Sequence, residues 1–503
     1  MTSEEKYAEL IGLWREASLV SSMAATLEWE QQTTLPAKGA EYRAKQLAYL
    51  AGLHHDLATR PRIGELLGEL ESSVEVSDAE SVAAVNVREI RWGYDRSTKL
   101  PKELVEALAE TCSLAQQEWG AARKERNFGR FAPWLTKVMD LTRQKAKSFD
   151  PKAPVYDTLL DEYERGATTV EVAKVFADLR GPLIELVSTI GEAKRQAPVE
   201  ILHRSYPIDR QQIFGEMAAS EIGFDFQRGR LDVTTHPFCT TLGPYDCRIL
   251  TRYNATYFSE SFFGILHEAG HGLYEQGLLA EHFGTPMGEA VSLGIHESQS
   301  RLWENQVGRS RAFWGRFFPR AQGVFRDALG SASIDDFHFA INGVSPSFIR
   351  VEADEATYNL HVLIRFELEQ AIMSEQLPIG EVPAAWNQKY RDYLGITPAH
   401  DAEGCLQDVH WSAGLVGYFP TYTLGNVYGA QLFERANQEL GGVDRLMQLG
   451  EFRVLLEWLR EKIHRHGKRY LPRDLVMRAT GNQPSPMALV ESLREKLGPL
   501  YQI

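Results

Sequence analysis

The chain has 503 residues, 44% hydrophobic and 24% charged, so it can bury a large core and belongs to no fibrous or disordered class. Its 54 basic and 68 acidic side chains give a formal net charge of −14, which argues against nucleic acid or an anionic membrane as partner.

The first residues, Met1 to Lys6, lack the basic and apolar regions of a signal peptide. The longest stretch without acidic or basic side chains, residues 409–433, holds His410, Pro420 and three tyrosines and is no membrane span. A cytoplasmic location is therefore expected. Tyr7, Leu10, Ile11, Leu13 and Trp14 recur at helical spacing, and similar patterns predict helices over residues 40–57, 101–122 and 170–194. Pro151 and Pro154 punctuate one join, Pro198 and Pro207 another. There is no repeat, linker or composition shift to mark a domain boundary. The four cysteines, Cys112, Cys239, Cys247 and Cys405, show no CxxC spacing and read as reduced thiols.

Residues 229–254 break the helical pattern. Short runs rich in Val, Thr, Phe and Ile, interrupted by Pro237 and Gly243-Pro244, predict a small β-hairpin or meander. An edge strand there can line a peptide-binding cleft.

Residues 267–271 read His-Glu-Ala-Gly-His. The four-residue spacing puts both imidazoles on one helix face, so they can converge on one ion. Glu268 then stands beside the metal, where it can take a proton from water. Ser259 or Ser261 is the expected cap of this helix, and Phe262, Phe263, Ile265 and Leu266 give it apolar bulk. A third ligand is required, with a fourth position left open. Residues 286–305 predict a further helix carrying Glu289, His296, Glu297 and Glu304. Spacing alone favours Glu297 only slightly over its neighbour His296.

In order along the chain stand His236-Pro237-Phe238, Asp246-Cys247-Arg248, His267 to His271, His296-Glu297-Ser298-Gln299, Ile349-Arg350-Val351-Glu352-Ala353-Asp354 and Gly404-Cys405-Leu406-Gln407-Asp408-Val409-His410-Trp411. These six motifs, and the chain length, resemble the carboxypeptidase Taq family of bacterial and archaeal metallocarboxypeptidases. The second motif departs from the family's usual D-x-R-x-T, because Leu250 stands at its last position.

The resemblance implies Glu297 as third ligand and His296 as a residue behind the ligands. It implies a mainly α, large helical metallopeptidase with a deep substrate groove and a small β segment beside the active site. One catalytic domain would span 1–503, with 1–230 a helical lobe without motifs and 231–503 the motif-bearing part. It further implies one Zn2+ per chain, with Co2+ able to substitute, a homodimer, and stepwise removal of C-terminal residues from peptides with broad specificity.

Such an enzyme must hold a terminal carboxylate, which the planar fork of arginine does best. Arg350 is the candidate. Ser345-Pro346 reads as a cap and first turn, placing Arg350 in a helix with Asp354 at i+4; the alternative is therefore a surface ion pair of little energetic value. His410, Tyr418 and Tyr422 are candidate donors to the oxyanion, or members of a buried aromatic cluster. His236 and Arg248 are further substrate-contact candidates, although Arg248 has Asp246 beside it as a strand partner. Two other functions fit the same residues: an endo-acting or dipeptidyl zinc oligopeptidase, and a helical peptide-binding protein without catalysis.

Overall fold

A computed structural model describes residues 1–503. Helices hold 69% of the residues and strands only three short runs, so the chain is mainly α. The predicted helices form as Ala40–Ala58, Lys102–Glu125 and Thr169–Glu192, and the first runs unbroken from Ser3 to Thr33. Thr2 and Thr168 close capping boxes with Glu5 and Glu171, satisfying N-terminal amides that a helix leaves without partners. No helix is long and apolar enough to cross a membrane. All four cysteines are free thiols.

Backbone contacts divide the chain into two compact units. The first comprises Met1–Thr98, Val199–Ile341 and Leu432–Gln483. It contains the sheet β1 (Gly229–Val233), β2 (Cys239–Gly243) and β3 (Asp246–Thr251), in the order β1-β3-β2. The expected hairpin is β2–β3, turning at Tyr245 with φ 71°. The expected meander is not present: β1 pairs with β3 in parallel, and β2 lies antiparallel on the other side of β3. The long first helix packs on this sheet. The Ser22 hydroxyl donates to the Leu242 carbonyl, the Thr234 hydroxyl to that of Gln32 at 3.1 Å, and Arg248 stacks 4.0 Å from the Trp29 ring centroid.

Helix Phe258–Glu275, which carries the His-Glu-Ala-Gly-His motif, follows the sheet. It starts before either serine expected to cap it; Tyr257 occupies the cap position without a side-chain bond. Its hold comes from packing instead. Phe258 and Phe262 sit in an aromatic cluster with Phe214, Trp314 and Phe325, at ring separations of 5.2–6.4 Å, which fixes the position of the motif helix.

The second unit comprises Lys99–Pro198, Asn342–Gln431 and Pro484–Ile503. At its centre runs helix Glu355–Met373, with 15 of 19 residues buried. A helix covered on all sides is a core element, and its buried Arg365 and Glu369 therefore need partners. The turn predicted at Ser345-Pro346 starts no helix. Arg350 lies in a short 3-10 turn, Arg350–Glu352, and Asp354 caps the following helix by accepting from the amides of Ala356 and Thr357.

Candidate metal centre

In the first unit, one nitrogen each of His267 and His271 and a carboxylate oxygen of Glu297 lie within 4.8 Å of one another. Nε2 of His267 is 3.5 Å, and Nε2 of His271 3.4 Å, from Oε2 of Glu297. Two imidazoles and one carboxylate are a donor set that suits zinc and leaves a fourth position for water. The residues present therefore fit the metal that the sequence implied.

Glu297 reaches this point on helix Leu293–Arg301, whose first turn Ser292 caps by accepting from the Ile295 amide. The single helix expected over residues 286–305 is thus three pieces: a 3-10 turn Pro286–Gly288, this helix, and a π-helix Leu302–Val307. The two ligand helices touch at Gly270, where an added Cβ would lie 2.6 Å from the Gln299 carbonyl oxygen and from the Ser300 Cα. Glycine is required there because backbone meets backbone.

Around the ligands stand groups that spacing did not reveal. Glu304, on the π-helix, accepts from Nδ1 of His267 at 2.9 Å. Arg301 donates to Glu297 at 2.7 Å and to Glu304 at 3.2 Å. His296 is no part of the converging set; its Nδ1 meets Nδ1 of His271, and its Nε2 lies 2.9 Å from Glu275. Burial would raise the Glu297 carboxyl, but Arg301 and the two imidazoles hold it well below the usual range. Burial pushes His271 down to about 3, and the facing His296 adds to this. Glu297 and His271 are thus shifted toward the deprotonated state that metal binding requires, whereas burial at His267 is outweighed by Glu297 and Glu304, which raise it.

Glu268 is buried, and its Oε2 has no hydrogen-bond partner. Burial pushes its carboxyl up to about 7. A bare carboxyl near neutrality, next to three converging donors, has the properties of a general base.

The second unit brings four other predicted residues together. Arg350 is buried, which rules out the expected surface pair with Asp354. Its Nε and Nη2 donate to Oδ1 of Asp408 at 3.1 and 3.0 Å, and its Nη1 to the Tyr358 hydroxyl at 3.0 Å. Arg365 takes the other oxygen of Asp408, at 2.7 Å. Two guanidiniums share one carboxylate in this buried trio, and the carboxyl of Glu369 also acts on Arg365. Arg350 lies 4.9 Å from the Tyr422 ring centroid. The Tyr422 hydroxyl is 3.2 Å from Nε2 of His410, whose Nδ1 is buried without a partner. Tyr418 lies tilted against both rings at 5.4 Å. Burial pushes His410 down to about 4, with Arg350 and Arg365 adding to the effect against Asp408. His410 is therefore neutral at ordinary pH.

Arg248 and His236 belong to the first unit. Arg248 is tied to Asp246 by two bonds of 2.9 Å and stacked on Trp29; His236 is exposed between β1 and β2.

Residues 9–497 match the family model described as carboxypeptidase Taq (M32) metallopeptidase. The chain belongs to this family. The chain is 48% identical to thermostable carboxypeptidase 1 of Thermus thermophilus over 100% of both chains. It is 37% identical to carboxypeptidase 1 of Bacillus subtilis over 98% of both. A crystal structure of an M32 carboxypeptidase from Deinococcus radiodurans superposes with a TM-score of 0.96, at 40% identity over 99% of this chain and 100% of that one. The family resemblance read from the six motifs is therefore correct, and so is the mainly α fold. As an M32 metallopeptidase, the chain is a peptide hydrolase of a metal-dependent family, and His267, His271 and Glu297 form a group that could hold an ion.

Proposed function

We propose that this M32 member is a zinc-dependent carboxypeptidase that releases C-terminal amino acids from peptides one at a time, with broad side-chain tolerance. The carrying observation is the convergence of His267, His271 and Glu297 beside the buried carboxyl of Glu268, whose Oε2 has no partner. Zinc at these three donors, one per chain with cobalt able to replace it, supplies Lewis acidity and makes water a nucleophile near neutral pH. Glu268 accepts the proton of the attacking water and later returns it to the leaving amine. His410, Tyr418 or Tyr422 donates to the developing oxyanion; the neutral state of His410 and its bond to the Tyr422 hydroxyl support this. Arg350 holds the terminal carboxylate, a role supported by its place against the Tyr422 ring, next to His410. His236 and Arg248 are assigned to substrate contact further along the peptide, His236 on account of its exposure.

The same reading takes residues 1–503 as one catalytic domain, supported by a family match that runs almost from end to end, and the protein as a cytoplasmic homodimer. The test is product analysis by mass spectrometry on a mixed peptide pool, with free and amidated C-termini, with and without chelator. Single-residue losses from free-acid peptides only, abolished by chelator, are expected. Internal cleavage that survives amidation would mark an endo-acting oligopeptidase instead. A protein that binds peptides but no metal, and cleaves none, would be a binding protein.

A further inference from the structure

Behind His271 a chain of hydrogen bonds runs away from the proposed metal position. Nδ1 of His271 meets Nδ1 of His296. Nε2 of His296 lies 2.9 Å from Oε1 of Glu275, and the Thr241 hydroxyl donates to Oε2 of Glu275 at 2.8 Å. Glu275 is the last residue of the motif helix, and Thr241 lies in the middle of β2. His267 has a simpler arrangement, with Glu304 directly on its Nδ1.

For a neutral His296 beside a carboxylate Glu275, donors and acceptors can be arranged along this chain in only one way. The carboxylate accepts only, so Nε2 of His296 must donate to it. A neutral His296 then has a bare lone pair on Nδ1, which can only accept from Nδ1–H of His271. His271 is left with its proton on Nδ1 and its lone pair on Nε2, the atom that faces Glu297 at 3.4 Å. The opposite tautomer would put a proton where a metal has to bind.

We propose that Glu275, held by Thr241, is a positioning residue that fixes the metal-competent tautomer of His271 through His296. The small sheet thereby acquires a second role, in which β2 orders one of the metal's ligands from two side chains away. Partners behind a metal-binding imidazole fix its orientation and tautomer, and their loss weakens metal binding ten- to a hundredfold as a rough range.

This proposal rests on the reading that His267, His271 and Glu297 hold zinc. The test is the zinc dissociation constant from chelator competition, in wild type, Glu275→Gln and Thr241→Val. Each is paired with the Co2+ visible spectrum and with thermal unfolding of the metal-free protein. Glutamine has the shape of glutamate but can turn an N–H toward His296, which admits the wrong tautomer. Zinc binding roughly tenfold weaker or more is expected for Glu275→Gln and severalfold weaker for Thr241→Val. The Co2+ spectrum should be altered, while the metal-free proteins melt as wild type does. Zinc affinity within twofold of wild type in both variants would overturn the proposal. So would a lowered melting temperature of metal-free Glu275→Gln combined with unchanged zinc affinity in Thr241→Val, because the chain would then be merely structural. A wild type that binds no zinc would refute the underlying metal assignment instead.

Discussion

At the scale of single residues, the chemistry assigned to this chain rests on groups held in costly states. Glu268 is buried with an unpartnered oxygen and a carboxyl pushed up to about 7. In Glu268→Gln the shape persists and the base is gone. Zinc content should therefore be unchanged while turnover falls on the order of a hundredfold or more; near-normal turnover in the metallated variant would remove Glu268 from the mechanism. Arg350→Lys keeps the charge but loses the fork. Charge-assisted bonds of this type contribute roughly 1.5–3 kcal/mol, so kcat/KM for free-acid peptides should drop about ten- to a hundredfold, with most of the preference over amides lost. Because Arg350 is buried against Asp408, the variant should also melt lower, as a surface pair would not require. Intact preference for the free acid would place the carboxylate anchor elsewhere. Glu369 offers a pH test. Burial pushes it up to about 7 from an ordinary 4.5, against bonds from Tyr156, Trp411 and the Gly417 amide. Its folded pKa is raised, so its contribution to stability is whole below pH about 4.5 and is lost as pH rises through about 7, a change on the order of 3 kcal/mol. Thermal unfolding between pH 5 and 8 should show wild type losing more stability than Glu369→Gln; parallel curves would contradict this.

At the scale of elements, the decisive contact is helix against helix. Gly270 lets the helix bearing His267 and His271 approach the one bearing Glu297. Gly270→Ala gains helix propensity locally, yet its Cβ would enter the Gln299–Ser300 backbone, which cannot swing aside as a side chain would. A loss of about 1–3 kcal/mol from overpacking is expected, together with weaker zinc binding; a variant that melts higher and binds zinc normally would show that the two helices can move apart freely. The same elements show what sequence could and could not reveal. His267 and His271 were legible because an i,i+4 pair shares a face whatever surrounds it. Glu297 and His296 were not separable, since only the direction of their helix decides which one turns inward. That helix starts at Leu293, after a 3-10 turn and a capping serine, and hydrophobic periodicity cannot see such a break. Likewise β1 beside β3 depends on a pairing between segments that a local pattern does not encode.

At the scale of the whole molecule, what was missed is what depends on distance along the chain. Asp408 lies 58 residues from Arg350 and 43 from Arg365, yet satisfies both; nothing near Arg350 in sequence announces it, and Asp354 four residues on was the natural but incorrect partner. Glu304 reaches His267 across 37 residues. The mainly α class, the motif-bearing half and the family were legible because ordered motifs and amphipathic repeats survive without knowledge of packing. The proposed metal should also act on the whole first unit, since the three residues proposed to hold it come from two helices. Zinc at about a hundred times its dissociation constant would stabilise the folded state by about 2.7 kcal/mol, so chelator should lower the melting temperature of wild type and leave Glu297→Ala unmoved.

The most direct measurement is therefore the zinc content per chain, by elemental analysis after equilibration with a small excess of zinc, in wild type, Glu297→Ala and His296→Ala. About one zinc per chain in wild type, clear loss in Glu297→Ala and retention in His296→Ala under zinc excess are the expected results. Full zinc in Glu297→Ala with loss in His296→Ala would contradict the assignment and move the third ligand to the neighbouring histidine.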